Sequence, residues 1–383
     1  MEVATLKFGK ASAPVSPTRR NLQSPGAFTL PAGTVVVSVD SHHSLSRDIF
    51  YERFPTNLKD RAPRVWRADG VQHIGFNGKS LLPPSSVTAM STFDSRPGST
   101  DIEARVADLQ AEGIDKELVF GNALNALFGF PDLEVRELVF RIYNEYLAEA
   151  QEKAPGIFYG VGLINFWDLS KTAASIEELK NLGLKTFLLP LKPGADTNGT
   201  QIEYHSEDME PFWDIVEDAG LPIMHHIGEN IAPSARNDVA IAALQNFSPF
   251  RRTFGEYIFG GILDRNPRLQ VAWIEAGLNW ALSAIQDATF FCASFNEVLS
   301  SQPKKEIIDY WRDHMFASFM YDPLGLKHID EIGVDKALWA SDYPHAESTL
   351  GYGWSAMQEV TNAVSPDDAR KILGGNAMKL FNL

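Results

Sequence analysis

Short apolar runs alternate along the chain with longer stretches whose apolar residues recur at helical spacing. Thr34-Val35-Val36-Val37-Ser38-Val39 is β-branched and follows Pro31-Ala32-Gly33, which predicts a strand. Seven more runs read the same way: Glu117 to Phe120, Phe158 to Leu163, Thr186 to Leu189, Pro222 to His225, Leu269 to Ile274, Phe316 to Met320 and Ala337 to Ala340. Helical patterns lie between them. Asp101 to Glu112 spaces Ile102, Val106 and Leu109 along one face and stops at Gly113. Leu133 to Ala150 does the same with Leu138, Ile142, Tyr146 and Ala150. Ser170 to Leu182 opens on a serine cap and ends at Gly183. Asp208 to Ala219 ends at Gly220, Phe254 to Leu263 precedes Asn266-Pro267, and Ser365-Pro366 starts a last helix with proline at its first position. Eight strands with intervening helices predict an α/β fold with a parallel sheet. Eight is also the number that closes a (β/α)8 TIM barrel.

Two stretches depart from this rhythm. Residues 1–32 are rich in Ser, Pro, Ala and Gly and predict an N-terminal arm. Residues 51–97 lack clear periodicity and are too long for an ordinary loop, which predicts an insertion or lid after the first strand. The barrel itself is then expected over 33–383.

Composition narrows the function classes. Of 383 residues 44% are hydrophobic and 22% charged, which excludes wholesale disorder. Lys and Arg number 34 against 49 Asp and Glu, a formal net charge of −15 that suits neither nucleic acid nor an anionic membrane. No apolar run reaches membrane-spanning length. The only cysteine, Cys292, excludes an internal disulfide or a cysteine-rich zinc site; it sits in an apolar stretch and is expected to be a core thiol. Arg19-Arg20 lacks the apolar segment an export signal needs, and with the lone thiol this predicts a cytoplasmic location.

The chemistry concentrates at strand ends. The first strand runs into Asp40-Ser41-His42-His43, the fifth into His225-His226-Ile227-Gly228-Glu229, the sixth into Glu275-Ala276-Gly277, and the eighth into Ser341-Asp342-Tyr343-Pro344-His345. In a (β/α) barrel that rim carries the active site. Asp40 and His42, two apart on a strand, share a face. His226 and Asp342 can reach the same point, giving nitrogen and carboxylate ligands for one divalent metal, Zn²⁺ first, with Mn²⁺ or Fe²⁺ also suited. His73, His205, His314 and His328 lack this placement and read as surface or structural. Glu229 fits either a helix start or a substrate contact. Rim aromatics Phe130, Phe166, Trp167, Phe250 and Trp280 point to an apolar or aromatic substrate.

From Val35 to Leu383 the chain resembles the amidohydrolase-related, metal-dependent TIM-barrel family that includes aminocarboxymuconate-semialdehyde decarboxylase and aromatic-acid decarboxylases. Five segments carry the resemblance. They are Arg96-Pro97-Gly98 with Ala104-Arg105-Val106-Ala107-Asp108, Tyr143-Asn144-Glu145-Tyr146-Leu147, Gly261 to Pro267, Trp339-Ala340-Ser341-Asp342-Tyr343-Pro344-His345, and Gly375-Asn376-Ala377. It implies Asp40, His42, His226 and Asp342 as metal ligands, with Asp342 also a catalytic acid or base. The family's decarboxylases usually place a histidine at the end of strand six, where this chain has Glu275. A glutamate suits activation of water, so the expectation is a metal-dependent hydrolase acting on an amide, lactone or carbon–carbon bond. In that reading Asp342 or Glu275 takes the proton and His345 or His225 orients the substrate. The alternatives are a non-oxidative decarboxylase of an aromatic or unsaturated acid, and a non-catalytic binding barrel. The expected partners are a small-molecule substrate and further copies of the chain, with the arm and the 51–97 insertion as contact surfaces.

Overall fold

The β-branched run ahead of Asp40 forms, in the computed structural model, the first of the expected parallel strands, β1 (Val37–His43), buried along its whole length. The structure describes residues 22, 24–45, 48–68, 71–81, 96–122, 127–128, 130–229, 241, 244, 250–345 and 347–383. After β1 comes an antiparallel sheet of three strands, β2 (Arg64–Ala68), β3 (Val71–Phe76) and β4 (Lys79–Ser80). The remaining parallel strands are β5 (Lys116–Gly121), β6 (Phe158–Gly160), β7 (Gly162–Leu163), β8 (Phe187–Leu188), β9 (Ile223–His226), β10 (Val271–Ile274), β11 (Met315–Phe319) and β12 (Ala337–Trp339). Both faces of these strands are covered, which is why they read as continuous apolar runs.

Hydrogen bonding arranges them in a ring. β1 pairs with β5 and β5 with β6, while β7 to β12 pair in sequence order. β6 and β7 are two pieces of one strand split at Val161, whose N–H donates to the Val119 carbonyl (2.9 Å); the N–H of Gly162 turns to the Thr186 carbonyl (3.1 Å) on the other side. The ring closes where Ser41 bridges Tyr343 in parallel, with Asp342 N donating to Asp40 O (2.8 Å) and His42 N to Tyr343 O (2.6 Å). The eight-stranded parallel order expected from periodicity is therefore a TIM barrel, with the strands' carboxyl ends carrying the polar segments.

Several local expectations change. The first strand starts at Val37, not Thr34. Ser170 is not the cap of its helix: the helix is Leu169–Asn181 and Asp168 caps it, accepting from Ser170 N. Asp101 and Asp132 cap the helices Ile102–Ala111 and Leu133–Lys153 in the same way, each by satisfying an otherwise unpaired N–H of the first turn. The 51–97 segment contains the sheet β2–β4, which periodicity did not reveal. Cys292 is half-buried: it packs against the edge of the core rather than within it, beside Phe290 and Phe291, which are 64% and 46% exposed. Residues 1–21 and 23 of the expected arm and 82–95 of the insertion lie outside the described residues. Among the described residues no helix is long and apolar enough to cross a membrane.

Candidate metal centre

The two-residue spacing of Asp40 and His42 sends both side chains off one face of β1, and both are buried. His42 Nε2 lies 3.4 Å from Asp40 Oδ1 and 3.3 Å from Asp342 Oδ1. From β9, His226 places Nε2 3.4 Å from Asp40 Oδ1 and 3.3 Å from Glu275 Oε2. Its Nδ1 lies 2.7 Å from the Ile227 carbonyl, which can only accept, so Nδ1 carries a proton and Nε2 is the nitrogen that faces the carboxylates. Asp342 also meets His345, Nδ1 to Oδ1 2.9 Å, and the His345 ring stacks on His42 at 3.7 Å. The structure thus brings together Asp40, His42, His226, Glu275, Asp342 and His345.

It does not bring His225 there. Successive residues of a strand face opposite ways. His226 takes the inner face, so His225 points outward, stacked on Trp273 and partnered by the Leu189 carbonyl and the Tyr257 hydroxyl. Phe250 and Trp280 pack around the same Trp273, also outside the strand wall. Glu229 accepts from the backbone N–H groups of Leu191 and Lys192, so it anchors the chain after β8.

The electrostatics of this cluster call for a cation. Burial alone would raise Asp40, but the charge and hydrogen bonds of His226, with His42, hold it well below the usual carboxylate range. Burial alone would lower His226, yet Asp40 and Glu275 push it up to about 9. Burial drives His42 down to about 4 against the pull of Asp40. Burial, with Glu275 and Asp40 as like charges, raises Asp342 far above its ordinary value, and burial does the same to Glu275 with Asp40 adding to it. Meanwhile Asp40 Oδ2, His42 Nε2 and both Asp342 oxygens are buried without a hydrogen-bond partner. Buried polar atoms are seldom left so. A divalent ion at this rim would draw on such atoms, and nitrogen with carboxylate ligands fits that requirement. Both Glu275 (φ 74°) and Asp342 (φ 56°) sit in left-handed backbone, which non-glycine residues adopt at a cost of about 1–3 kcal/mol and which here aims both carboxylates inward.

Sequence comparison decides the family. A family model described as amidohydrolase matches residues 39–383. This chain belongs to the amidohydrolase family. Among curated proteins none matches it in sequence. Solved structures share the family's fold. An amidohydrolase from Mycobacterium avium subsp. paratuberculosis K-10 superposes with a TM-score of 0.74 at 18% identity, over 92% of this chain and 99% of that one. For 5-carboxyvanillate decarboxylase from Sphingomonas paucimobilis the values are 0.64, 17%, 92% and 100%. For a dihydroxybenzoic acid decarboxylase from Polaromonas sp. JS666, solved with manganese and the inhibitor 2-nitroresorcinol, they are 0.60, 19%, 91% and 97%.

Three further groups escaped sequence reasoning. Asn122, just past β5, donates to Ser44 Oγ (2.9 Å) and turns Oδ1 toward His345 Nε2 (3.4 Å). Glu347 joins Glu275, Asp342 and His345 in a second potential ligand cluster. Arg105 pairs with Glu117 and also donates to the His42 carbonyl (2.7 Å). Its position at helical spacing from Ile102 and Leu109 was a readable sign of a buried charge.

Proposed function

We propose that this amidohydrolase-family chain is a metal-dependent, non-oxidative decarboxylase of an aromatic carboxylic acid. The observation that carries the reading is the buried cluster Asp40, His42, His226 and Glu275, which Asp342 adjoins through His42 and Glu275, with unpartnered atoms on Asp40, His42 and Asp342. Its reaction class draws support from the structural neighbours, two of which are aromatic-acid decarboxylases that the chain matches over nearly its whole length. Manganese in the Polaromonas neighbour makes Mn²⁺ as eligible as Zn²⁺.

Asp40, His42, His226 and Asp342 would hold the ion, with Glu275 within reach of the same position. Bound there, a divalent cation supplies Lewis-acid polarisation of an oxyanion. The protein's own part is proton delivery and orientation. The carbon–carbon bond to the carboxyl breaks, CO₂ leaves, and the electron pair stays on the ring carbon. Asp342, with one carboxyl oxygen toward the ion and the other free to carry a proton, would give that carbon its proton. The His345 ring, 2.9 Å from the Asp342 carboxyl and within 3.4 Å of Asn122 Oδ1, packs against that carboxyl and limits its orientation.

Hydrolysis is the second reading, and Glu275 favours it. Its carboxyl lies 3.3 Å from His226 and, once ionised beside a bound cation, would take a proton from water. The test is CO₂ release by the Mn²⁺- or Zn²⁺-loaded protein from a panel of hydroxy- and methoxybenzoates, with Glu275→Gln alongside. Decarboxylation predicts CO₂ release that Asp342→Asn abolishes. A hydrolase predicts no CO₂, and cleavage of an amide or lactone that falls about 10²-fold or more in Glu275→Gln.

A further inference from the structure

Among the described side chains of this acidic chain, arginine is almost always paired. Arg53, Arg61, Arg64, Arg96, Arg105, Arg141, Arg251, Arg252, Arg265, Arg268, Arg312 and Arg370 each lie within 4.0 Å of a carboxylate. Arg136 does not, although it is only 4% exposed. A buried guanidinium without a counter-ion is the costly arrangement that proteins otherwise avoid. With carboxylates in surplus, the missing partner is a property of this position.

The geometry shows what is missing. Arg136 Nη1 donates to the Phe128 carbonyl (3.2 Å), whereas Nε and Nη2 are buried with no hydrogen-bond partner. Nε and Nη2 are neighbouring nitrogens on one edge of the guanidinium, the edge that grips a carboxylate through two parallel N–H bonds. The guanidinium carbon sits 3.8 Å from the centre of the Trp167 ring and 5.8 Å from that of Phe166. These aromatics hold the plane in place and leave the edge unused. Burial pushes Arg136 down to about 10, so it remains a cation at neutral pH.

Its place in the fold points the same way. Arg136 lies in the first turn of the helix Leu133–Lys153, where the helix dipole disfavours a cation and favours an anion. That turn follows β5, and Phe166 and Trp167 follow β7, so the group stands at the carboxyl ends of the strands, as the metal-ligand cluster does. We propose that Arg136 is an anion-recognition residue that binds the carboxylate of an aromatic acid on its Nε/Nη2 edge, with Phe128 and Phe166 as apolar neighbours. The aromatic nature of the ligand rests on the decarboxylase reading above. The side chains closing that edge from solvent must move aside as the ligand enters.

The test is isothermal titration of the full-length, Mn²⁺-loaded protein with benzoate and with uncharged benzamide. Wild type should bind benzoate at least tenfold more tightly than benzamide. Arg136→Met should lose at least tenfold in benzoate affinity, while its melting temperature stays level or rises, because an unpaired buried cation has gone. Arg136→Lys should recover part of the affinity. If Arg136→Met fails to fold, Arg136→Lys decides, with benzoate binding weakened severalfold at an unchanged melting temperature. Three results overturn the proposal: no benzoate binding by wild type, benzamide matching benzoate, or undiminished benzoate binding by a folded Arg136 variant. Binding needs no turnover, so the two readings fail separately. Arg136-dependent benzoate binding without CO₂ release from any substrate defeats only the decarboxylase reading.

Discussion

Replacing Arg105 with methionine should destabilise the protein more than any surface substitution. Arg105 and Glu117 are both fully buried, joined by Nε to Oε1 (2.5 Å) and Nη2 to Oε2 (2.7 Å). The remaining nitrogen donates to the carbonyls of His42 (2.7 Å) and Gly98 (3.3 Å), and the guanidinium lies over the Tyr343 ring at 4.9 Å. One side chain thus ties the helix Ile102–Ala111 to β5 and to the ends of β1 and β12. Methionine fills similar space but leaves the Glu117 carboxylate buried and unpaired, a loss of about 3–5 kcal/mol. At roughly 2.1 cal/mol/K per residue, unfolding 383 residues carries an entropy of about 0.8 kcal/mol/K. The melting temperature should therefore fall by about 4–6 °C, read by circular dichroism. Arg105→Met/Glu117→Met should recover most of the loss, since the isolated charge is gone. A fall of less than about 1 °C in the single variant, or a double variant no better than the single, would refute the account of this pair.

Two further outcomes follow from the site and its surroundings. Burial holds His225 neutral, with its pKa pushed down to about 3 from an ordinary 6.5. Its contribution is complete above about pH 6.5 and drains away as the pH falls toward 3, up to roughly 4–5 kcal/mol. His225→Gln should therefore show a shallower loss of stability with acid in urea titrations across that window; an acid limb identical to wild type would contradict it. Metal should stabilise the fold through the buried ligand atoms: a divalent cation at about 100 times its dissociation constant adds about 2.7 kcal/mol. After chelation, Mn²⁺ or Zn²⁺ should raise the melting temperature by about 3 °C. Asp40→Asn should abolish most of this shift, and an undiminished shift in that variant would remove Asp40 from the ligand set.

The barrel was legible because its signals are local. β-branched runs, a proline start and glycine stops are set by backbone geometry within a few residues, and the rim positions of Asp40, His42, His226 and Asp342 follow from strand ends alone. The antiparallel sheet β2–β4 was hidden because β2 (RVWRA) and β3 (VQHIGF) mix charged and polar residues among the apolar ones without a period of two, so no alternation stands out. The choice between His225 and His226 needed one more step, the assignment of which strand face looks inward.

The sequence by itself determined the alternation of strands and helices, the barrel and the rim where the polar segments gather, since each depends on period and position. Only the tertiary structure decided the partners. Ser38 meets Ser341 across 303 residues, Arg105 finds Glu117, and Asp342 meets both His42 and His345. It also decided that Arg136 finds no carboxylate, while Asp40 and Asp342 keep oxygens without hydrogen-bond partners. The physical reason is that burial sets the cost of a charge locally, whereas what balances that charge comes from segments that only the closed ring of strands brings together.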